Sequence, residues 1–127
     1  MSKEPVTLAS SDVLDLASDI MNLGRVRHLP VLENDKLVGI LSQRDLFHSA
    51  LVTALGLGPK QSRELLRGLR IREVMSAPVI TVAPNGDIKA AARTMLEKKI
   101  GCLPVIENER LVGLVTESDI LRYVAVQ

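Results

Sequence analysis

Two short segments place a hydroxyl three residues before a carboxylate, at Ser42-x-x-Asp45 and Thr116-x-x-Asp119. In each segment the hydroxyl ends a β-prone run, and the carboxylate lies at the start of an expected helix. A carboxylate in that position can accept hydrogen bonds from the two vicinal hydroxyls of a ribose. The neighbouring helix N-terminus offers free backbone N–H groups and the positive end of the helix dipole, which suit a phosphate oxygen. One segment could therefore hold ribose and phosphate together.

The same spacing is also that of a capping box, in which the hydroxyl caps the helix and the acidic residue returns a hydrogen bond. Capping is the commoner role of an isolated segment of this kind. Two copies in one chain keep the ligand role open, and both roles can hold in different ligand states. A paired-carboxylate enzyme is not expected, because Asp45 and Asp119 each lie beside a hydroxyl of their own segment.

The two segments belong to a duplicated unit. Residues 6 to 46 align with residues 80 to 120 at a shift of 74 places without a gap, and 13 of the 41 aligned positions are identical. The clearest matches are Leu29-Pro30-Val31 with Leu103-Pro104-Val105, and Leu37-Val38-Gly39 with Leu111-Val112-Gly113. A duplicated unit implies two related sites.

Each copy is predicted to form a strand, a helix, two strands and a helix. In the second copy we expect these elements at Val79–Val82, Ile88–Leu96, Leu103–Ile106, Leu111–Val115 and from Thr116, with Asp87 capping the first helix and a polar turn at Glu107–Arg110. In the first copy we expect them at Val6–Leu8, Val13–Met21, Leu29–Leu32, Leu37–Leu41 and from Ser42. The expected buried face of the second copy's first helix comprises Ile88, Ala91, Ala92, Met95 and Leu96. The fold class is therefore α/β (α+β), with two tandem βαββα repeats.

The expected domain boundaries follow from this pattern: repeat 1 at 1–48, a helical connector at 49–70 and repeat 2 at 71–127. The connector carries an apolar stripe that Gly56–Pro59 interrupts, and the stripe comprises Leu51, Leu55, Leu65, Leu66 and Leu69. Arg63, Arg67 and Arg70 fall on one face of the connector helix. We expect a solvated face there, and contact with nucleic acid or an acidic partner is the lesser alternative.

The composition excludes several classes of function. With a net charge of +1 and only Phe47 and Tyr123 as aromatics, the chain lacks the basic surface and the stacking platform typical of nucleic-acid binding. It has one cysteine, Cys102, and no apolar run of the roughly 18 residues that a membrane span needs. No motif of the common hydrolases, dehydrogenases or metalloproteases occurs. We expect a reduced, cytoplasmic protein that is not an enzyme and holds no metal.

These repeats resemble the CBS domain family, named for cystathionine β-synthase, in the form of a tandem pair or Bateman module. The resemblance covers nearly the whole chain, and it implies that the two repeats pack with pseudo-two-fold symmetry. The segment Ile71-Arg72-Glu73-Val74-Met75-Ser76 resembles the family's lead-in to a repeat, whereas the first copy has only Met1 to Glu4 in its place. That difference favours a fragment of a larger protein.

The resemblance also implies two nucleotide-binding clefts between the repeats, with ribose held by one copy and the base packed against the other. The first predicted cleft comprises Ser42, Arg44, Asp45, Arg27 and His28 with Val79, Ile80, Thr81 and Gly101. The second comprises Thr116, Ser118, Asp119, Gly101 and Cys102 with Val6, Thr7 and Arg27. We expect tighter anion binding near Asp45, because Gly101, Cys102 and Ser118 replace the cationic positions of the first cleft.

Two of these residues have structural alternatives. His28 could be a phosphate donor, a pH-sensitive group or a polar residue at a strand entrance. Cys102, which aligns with His28, could be a small, half-buried residue with no ligand role. Their side-chain environments decide between these roles.

The function that the resemblance implies is that of a non-catalytic regulatory module. It would bind an adenosine-containing ligand of the AMP, ADP or ATP class, as in energy sensing, use no catalytic cofactor, and act on an unidentified regulated protein. It would form a homodimer through the helices after the two Ser/Thr-x-x-Asp segments and the helices carrying Ala17, Met21, Ala91 and Met95, whose small residues would permit close contact. The alternative is a dimerisation module with vestigial clefts.

Overall fold

The structure is a computed structural model that describes residues 2–3, 5–24, 26–46 and 67–126. In chain order its elements are β1 (Ser2–Lys3), β2 (Leu8–Ala9), α1 (Leu14–Gly24), β3 (His28–Glu33), β4 (Lys36–Ser42), α2 (Ile71–Val74), α3 (Ile88–Lys98), β5 (Cys102–Glu107), β6 (Arg110–Thr116) and α4 (Glu117–Ala125). Residues 43–46 and 67–68 are also helical. The fold is mixed α/β, as predicted, with two small sheets.

The chain divides into two compact units. One unit is Val6–Val79, and the other combines Met1–Pro5 with Ile80–Gln127. The Val6–Val79 unit contains the sheet β2-β3-β4, in which β2 runs parallel to β3, and β3 runs antiparallel to β4. The second unit contains the sheet β1-β6-β5, whose two pairings are both antiparallel.

The predicted repeat is confirmed at the level of individual elements. The bounds of α1, β3 and β4 become those of α3, β5 and β6 when 74 is added to each residue number. The strands and helices extend one to three residues beyond most of their predicted ends. The same shift of 74 relates Ser2 to Ser76 and Ile40 to Leu114. Ser76 forms an antiparallel bridge to Ile40, and Ser2 pairs with Leu114, so the lead-in segment makes equivalent strand contacts in the two repeats.

The predicted first strand of each repeat is largely wrong. In the second copy only Val82 pairs, in a parallel bridge to Val105, and residues 79–81 form no strand. Val82 N–H donates to the Pro104 carbonyl at 3.0 Å, and Ile106 N–H donates to the Val82 carbonyl at 2.9 Å. Pro84 lacks the N–H that would continue the ladder. In the first copy the strand begins at Leu8, so Val6 and Thr7 precede it.

The β-hairpins turn more tightly than the sequence pattern indicated. The predicted four-residue turn at Glu107–Arg110 is a two-residue turn, because β5 ends at Glu107 and β6 begins at Arg110. Asn108 and Glu109 have φ values of 51° and 65°, which match the left-handed pair of a type I′ turn. Asn34 and Asp35 repeat this geometry in the first hairpin.

Each unit has its own cluster of buried apolar side chains. The Val6–Val79 cluster comprises Leu8, Leu14, Ala17, Met21, Leu29, Val31, Leu41 and Ile71. The cluster of the second unit is smaller, with Ala91, Met95 and Leu103 buried and Val82, Ile100, Val115 and Ile120 packed against them. Aliphatic residues fill both clusters, as the scarcity of aromatics requires.

One expectation about a helix face is wrong, because Leu96, expected on the buried face of α3, is 79% exposed. Ala17, Met21, Ala91 and Met95 are buried in the clusters of their own units. The predicted dimer contact through the helices that carry them stays a prediction.

The predicted connector lies mostly outside the described residues, including Gly56–Pro59, Arg63 and the leucines before Leu69. Leu69 packs against the buried cluster of the Val6–Val79 unit. Arg67 Nε lies 3.4 Å from Asp15 Oδ2, and Arg70 Nη1 donates to the Ser11 carbonyl at 2.9 Å. These two arginines therefore contact their own unit.

Within the described part of the chain, no helix is long and apolar enough to cross a bilayer.

Candidate functional site

Ser42 and Asp45 join the end of β4 to the helical turn that follows. Ser42 N–H donates to Asp45 Oδ2 at 3.0 Å, and Asp45 N–H donates to Ser42 Oγ at 3.0 Å. This reciprocal pair is a capping box, so one predicted role of the segment is confirmed. The capping box holds the Asp45 carboxylate beside the backbone N–H of Ser42, at the start of the helix.

The segment before β3 meets the same helix start. Gln43 N–H donates to the Arg27 carbonyl at 2.7 Å, and His28 lies opposite Ser42 in the β3–β4 ladder. The open end of this hairpin therefore brings together Arg27, His28, Ser42 and Asp45. Arg44 lies in the helical turn between Ser42 and Asp45 and is exposed.

The helix start has fewer free amides than predicted. Of the first three helical residues, Gln43 donates to Arg27 and Asp45 donates to the Ser42 hydroxyl. A phosphate at this end would therefore depend more on cationic side chains than on the backbone. Arg27 and Arg44 are the arginines near this end, and their predicted role in phosphate binding stays a prediction.

Ser76 is a contact of Asp45 that sequence reasoning missed. Its hydroxyl donates to Asp45 Oδ2 at 3.4 Å, and its backbone exchanges hydrogen bonds with Ile40 at 2.9 and 3.1 Å. The lead-in segment therefore reaches the carboxylate of the first repeat. No local pattern could predict this contact, because 31 residues separate the two side chains.

Thr116 and Asp119 form the matching capping box in the second unit. Thr116 N–H donates to Asp119 Oδ2 at 2.8 Å, and the Thr116 hydroxyl donates to the same oxygen at 3.2 Å. Glu117 N–H donates to the Gly101 carbonyl at 3.2 Å, which repeats the contact of Gln43 with Arg27. The two segments thus share their backbone geometry.

Arg122 gives the second segment a partner that sequence reasoning also missed. Its Nη1 lies 3.4 Å from Asp119 Oδ1, the carboxylate oxygen outside the capping box. The spacing of three residues on one helix is a readable signal for this ion pair. The position in the first repeat that aligns with Arg122 is His48, which lies outside the described residues.

The predicted cleft residues divide between the two units. The Val6–Val79 unit holds Val6, Thr7, Arg27, His28, Ser42, Arg44, Asp45 and Val79, and the second unit holds Ile80, Thr81, Gly101, Cys102, Thr116, Ser118 and Asp119. Within each unit, the hairpin's open end brings together the capping box and the residues that precede or begin the first hairpin strand. Each predicted cleft draws on both units and stays a prediction.

Cys102 is the most enclosed of the predicted cleft residues. It lies opposite Thr116 in the ladder, and it is 6% exposed. Burial raises the pKa of its thiol to about 12. The thiol is therefore protonated at neutral pH and would be a poor nucleophile.

A short helix start with a fixed carboxylate can recognise a diol. An ionised carboxylate has lone pairs beyond those used in a capping box, and vicinal hydroxyls can donate to them. Among the described residues there is no group of three or more His, Cys, Asp and Glu side chains that could hold a metal ion. The Asp45 and Asp119 carboxylates can therefore accept hydrogen bonds from hydroxyl groups.

Comparison with known proteins identifies the repeats. The profile of the CBS domain family matches residues 1–51 and 71–126. A CBS domain-containing protein of Dictyostelium discoideum is 34% identical over 126 residues, which cover 95% of this chain and 85% of that protein. An uncharacterized protein of Methanocaldococcus jannaschii is 33% identical over 133 residues, which cover 95% of this chain and 46% of that protein. The chain thus spans less than half the length of the second relative.

A solved structure agrees with this assignment. A CBS domain pair in complex with 5′-methylthioadenosine and S-adenosyl-L-methionine has a TM-score of 0.82 and 29% identity, over 99% of this chain and 92% of that one. The two family matches fall on the two repeats, and the gap between them falls on the connector. The chain therefore belongs to the CBS domain family, as a tandem pair of CBS domains.

Proposed function

We propose that this CBS pair is a non-catalytic regulatory module that binds an adenosine-containing ligand of the AMP, ADP or ATP class. The observation that carries the proposal is the pair of matched capping boxes, at Ser42 with Asp45 and at Thr116 with Asp119. Each box presents a fixed carboxylate at the open end of a hairpin. The ligand would donate its two ribose hydroxyls to that carboxylate.

The ligands of a similar protein support the choice of adenosine. The CBS pair of 29% identity was solved with 5′-methylthioadenosine and S-adenosyl-L-methionine, and both of these molecules contain adenosine. Adenosine supplies the vicinal hydroxyls that the carboxylate would accept. The proposal that the ligand also carries phosphate, as in the AMP class, rests on the arginines near Asp45.

The base of each ligand would pack on apolar surface from the other repeat. Val6 and Ile80 occupy matched positions, at a shift of 74, and they are 55% and 39% exposed. Exposed aliphatic side chains at both positions suit contact with a purine face. In this proposal the Asp45 cleft takes Ile80, and the Asp119 cleft takes Val6.

The Asp45 cleft would be the main site for a phosphorylated ligand. Arg27 and Arg44 lie at the open end of its hairpin, whereas Gly101 and Ser118 occupy the matched positions of the second unit. Because two of the first three amides at the helix start already donate to protein oxygens, these arginines would supply most of the attraction for phosphate. His28 would donate a further hydrogen bond to the phosphate.

Regulation requires that the ligand favour one state of the module over another. In this proposal the two states differ in the geometry of a homodimer of CBS pairs, and α4 contributes to the dimer interface. Leu121 and Val124 lie three residues apart on α4 and are 69% and 64% exposed, so they offer apolar area to a second copy. A partner protein in the cytoplasm would read the change in geometry.

A thermal-shift panel tests the proposed ligand class. The wild-type chain would be measured with AMP, ATP and S-adenosylmethionine, and with UMP as a ribose phosphate that lacks adenine. A bound ligand at 100 times its dissociation constant should stabilise the fold by about 2.7 kcal/mol. We expect stabilisation by at least one adenosine ligand and none by UMP. Equal shifts with UMP would contradict adenosine recognition, and no shift at all would favour the dimerisation module.

A further inference from the structure

We infer that Arg122 lowers the ligand affinity of the second site, where it competes with a ligand's ribose for the Asp119 carboxylate. The inference rests on the proposed function, because it concerns the affinity of that site. The capping boxes alone do not explain such a difference between the sites, since in both boxes the N-cap N–H donates to Oδ2 of the aspartate.

The geometry gives the two oxygens of Asp119 different partners. Oδ2 accepts hydrogen bonds from the backbone N–H and the hydroxyl of Thr116, at 2.8 and 3.2 Å. Oδ1 faces Arg122 Nη1 at 3.4 Å. Capping thus uses one oxygen, and the guanidinium group lies at the other.

The two side chains of the ion pair differ in exposure. The Asp119 side chain is 14% exposed, whereas the Arg122 side chain is 77% exposed. The carboxylate is therefore held in place, and the arginine reaches it from solvent. A ligand could displace the arginine without disturbing the capping box.

Ribose recognition needs the oxygen that Arg122 contacts. Two vicinal hydroxyls donate best when both can reach a carboxylate, and Oδ2 already accepts two bonds from Thr116. The ligand must therefore share or displace the Arg122 contact at Oδ1. Exposed ion pairs are weak, so the expected penalty on affinity is about two- to five-fold.

The first repeat offers a contrasting contact. The Asp45 carboxylate meets a neutral group instead, because the Ser76 hydroxyl donates to its capping oxygen Oδ2 at 3.4 Å, whereas Arg122 contacts Oδ1 of Asp119. A hydroxyl can turn to donate or to accept, whereas a guanidinium group can only donate. Arg122 would therefore lower the affinity of the second repeat for ribose. This effect is separate from the absence of the two arginines that would bind phosphate, since Gly101 and Ser118 replace Arg27 and Arg44.

Calorimetric titration with adenosine tests this competition, because adenosine has the ribose diol but no phosphate. The titrations would use the full chain carrying Asp45→Ala, so that only the Asp119 site responds. Arg122→Ala should raise the adenosine affinity about two- to five-fold. Arg93→Ala, which removes an exposed arginine of α3 in the same unit, is the matched control and should leave the affinity unchanged.

Salt gives a second readout. Raising salt from about 0.05 to about 0.5 M should strengthen adenosine binding by the Asp45→Ala chain, because it screens the ion pair. Arg122→Ala should remove that dependence. Unchanged or weaker binding in Arg122→Ala would overturn the inference, since the arginine would then be neutral or a ligand contact. Absence of adenosine binding in every chain would also overturn the inference, whereas the proposed function is judged by the thermal-shift panel with AMP, ATP and S-adenosylmethionine, so the two failures are distinguishable.

Discussion

The binding role proposed for Asp45 and Asp119 builds on their structural role. Each carboxylate uses Oδ2 to hold the first turn of a helix. A side chain that is already fixed loses little conformational freedom when a ligand binds, which favours affinity. Capping and ribose recognition are therefore compatible, and removing either aspartate should affect both.

Cys102 leads to a prediction at the residue scale. Its buried thiol has a pKa near 12 in the folded chain, against about 9 when exposed. Because the folded state holds this proton more tightly, its contribution to stability is complete below about pH 9 and is lost as the pH rises toward 12. Urea unfolding of the wild type should therefore lose about 1–2 kcal/mol more than Cys102→Ala between about pH 8 and pH 10.5.

The comparison with Cys102→Ala isolates the thiol, because all other side chains are the same in both chains. Parallel pH profiles would mean that the thiol is accessible to solvent in the folded state. Alkylation by iodoacetamide provides an independent check, and the native chain should react far more slowly than the urea-unfolded chain.

Among the elements, β4 approaches the lead-in segment closely at Gly39. A Cβ added at Gly39 would collide with the Met75 side chain and lie 3.1 Å from the Ser76 carbonyl. Gly39→Ala should therefore destabilise the fold by about 1–3 kcal/mol, as overpacking does. Urea denaturation measures the change.

Gly68→Ala is the matched control for this substitution. Gly68 lies in a helical turn, and a Cβ there would meet nothing within 4 Å. Alanine favours helix over glycine, so this variant should be neutral or up to about 1 kcal/mol more stable. Equal stability of the two variants would contradict the close approach of β4 and Met75.

The elements also show what the sequence could and could not predict. Period and turn residues predicted α1, α3 and the two hairpins, because these elements depend on neighbours within a few residues. The first strands were overpredicted. The β-prone run at residues 79–82 does not indicate whether a neighbouring strand is available, and only Val82 pairs with one, at Val105. Ser76 was missed at the site for the same reason, because its contact with Asp45 depends on tertiary structure.

For the whole molecule, the exposed apolar surface of α4 predicts self-association. If α4 contributes to a homodimer, Leu121→Glu should shift the chain toward monomer in sedimentation equilibrium, because it buries an unpaired charge. Ala83→Glu adds the same charge at an exposed loop position and should leave the association unchanged. A monomeric wild type, or a dimer that Leu121→Glu does not weaken, would contradict this interface.

We propose that the Asp45 carboxylate binds ligand in addition to capping a helix. Isothermal titration of AMP into Asp45→Ala and Asp87→Ala tests it most directly, because Asp87 caps α3 through Lys89 N–H at 3.1 Å and was not predicted in either cleft. Each substitution should cost about 1 kcal/mol of stability. We predict that Asp87→Ala binds AMP like the wild type, whereas Asp45→Ala binds at least about tenfold more weakly. Equal AMP affinity in all three chains would contradict the claim and leave Asp45 with its capping role.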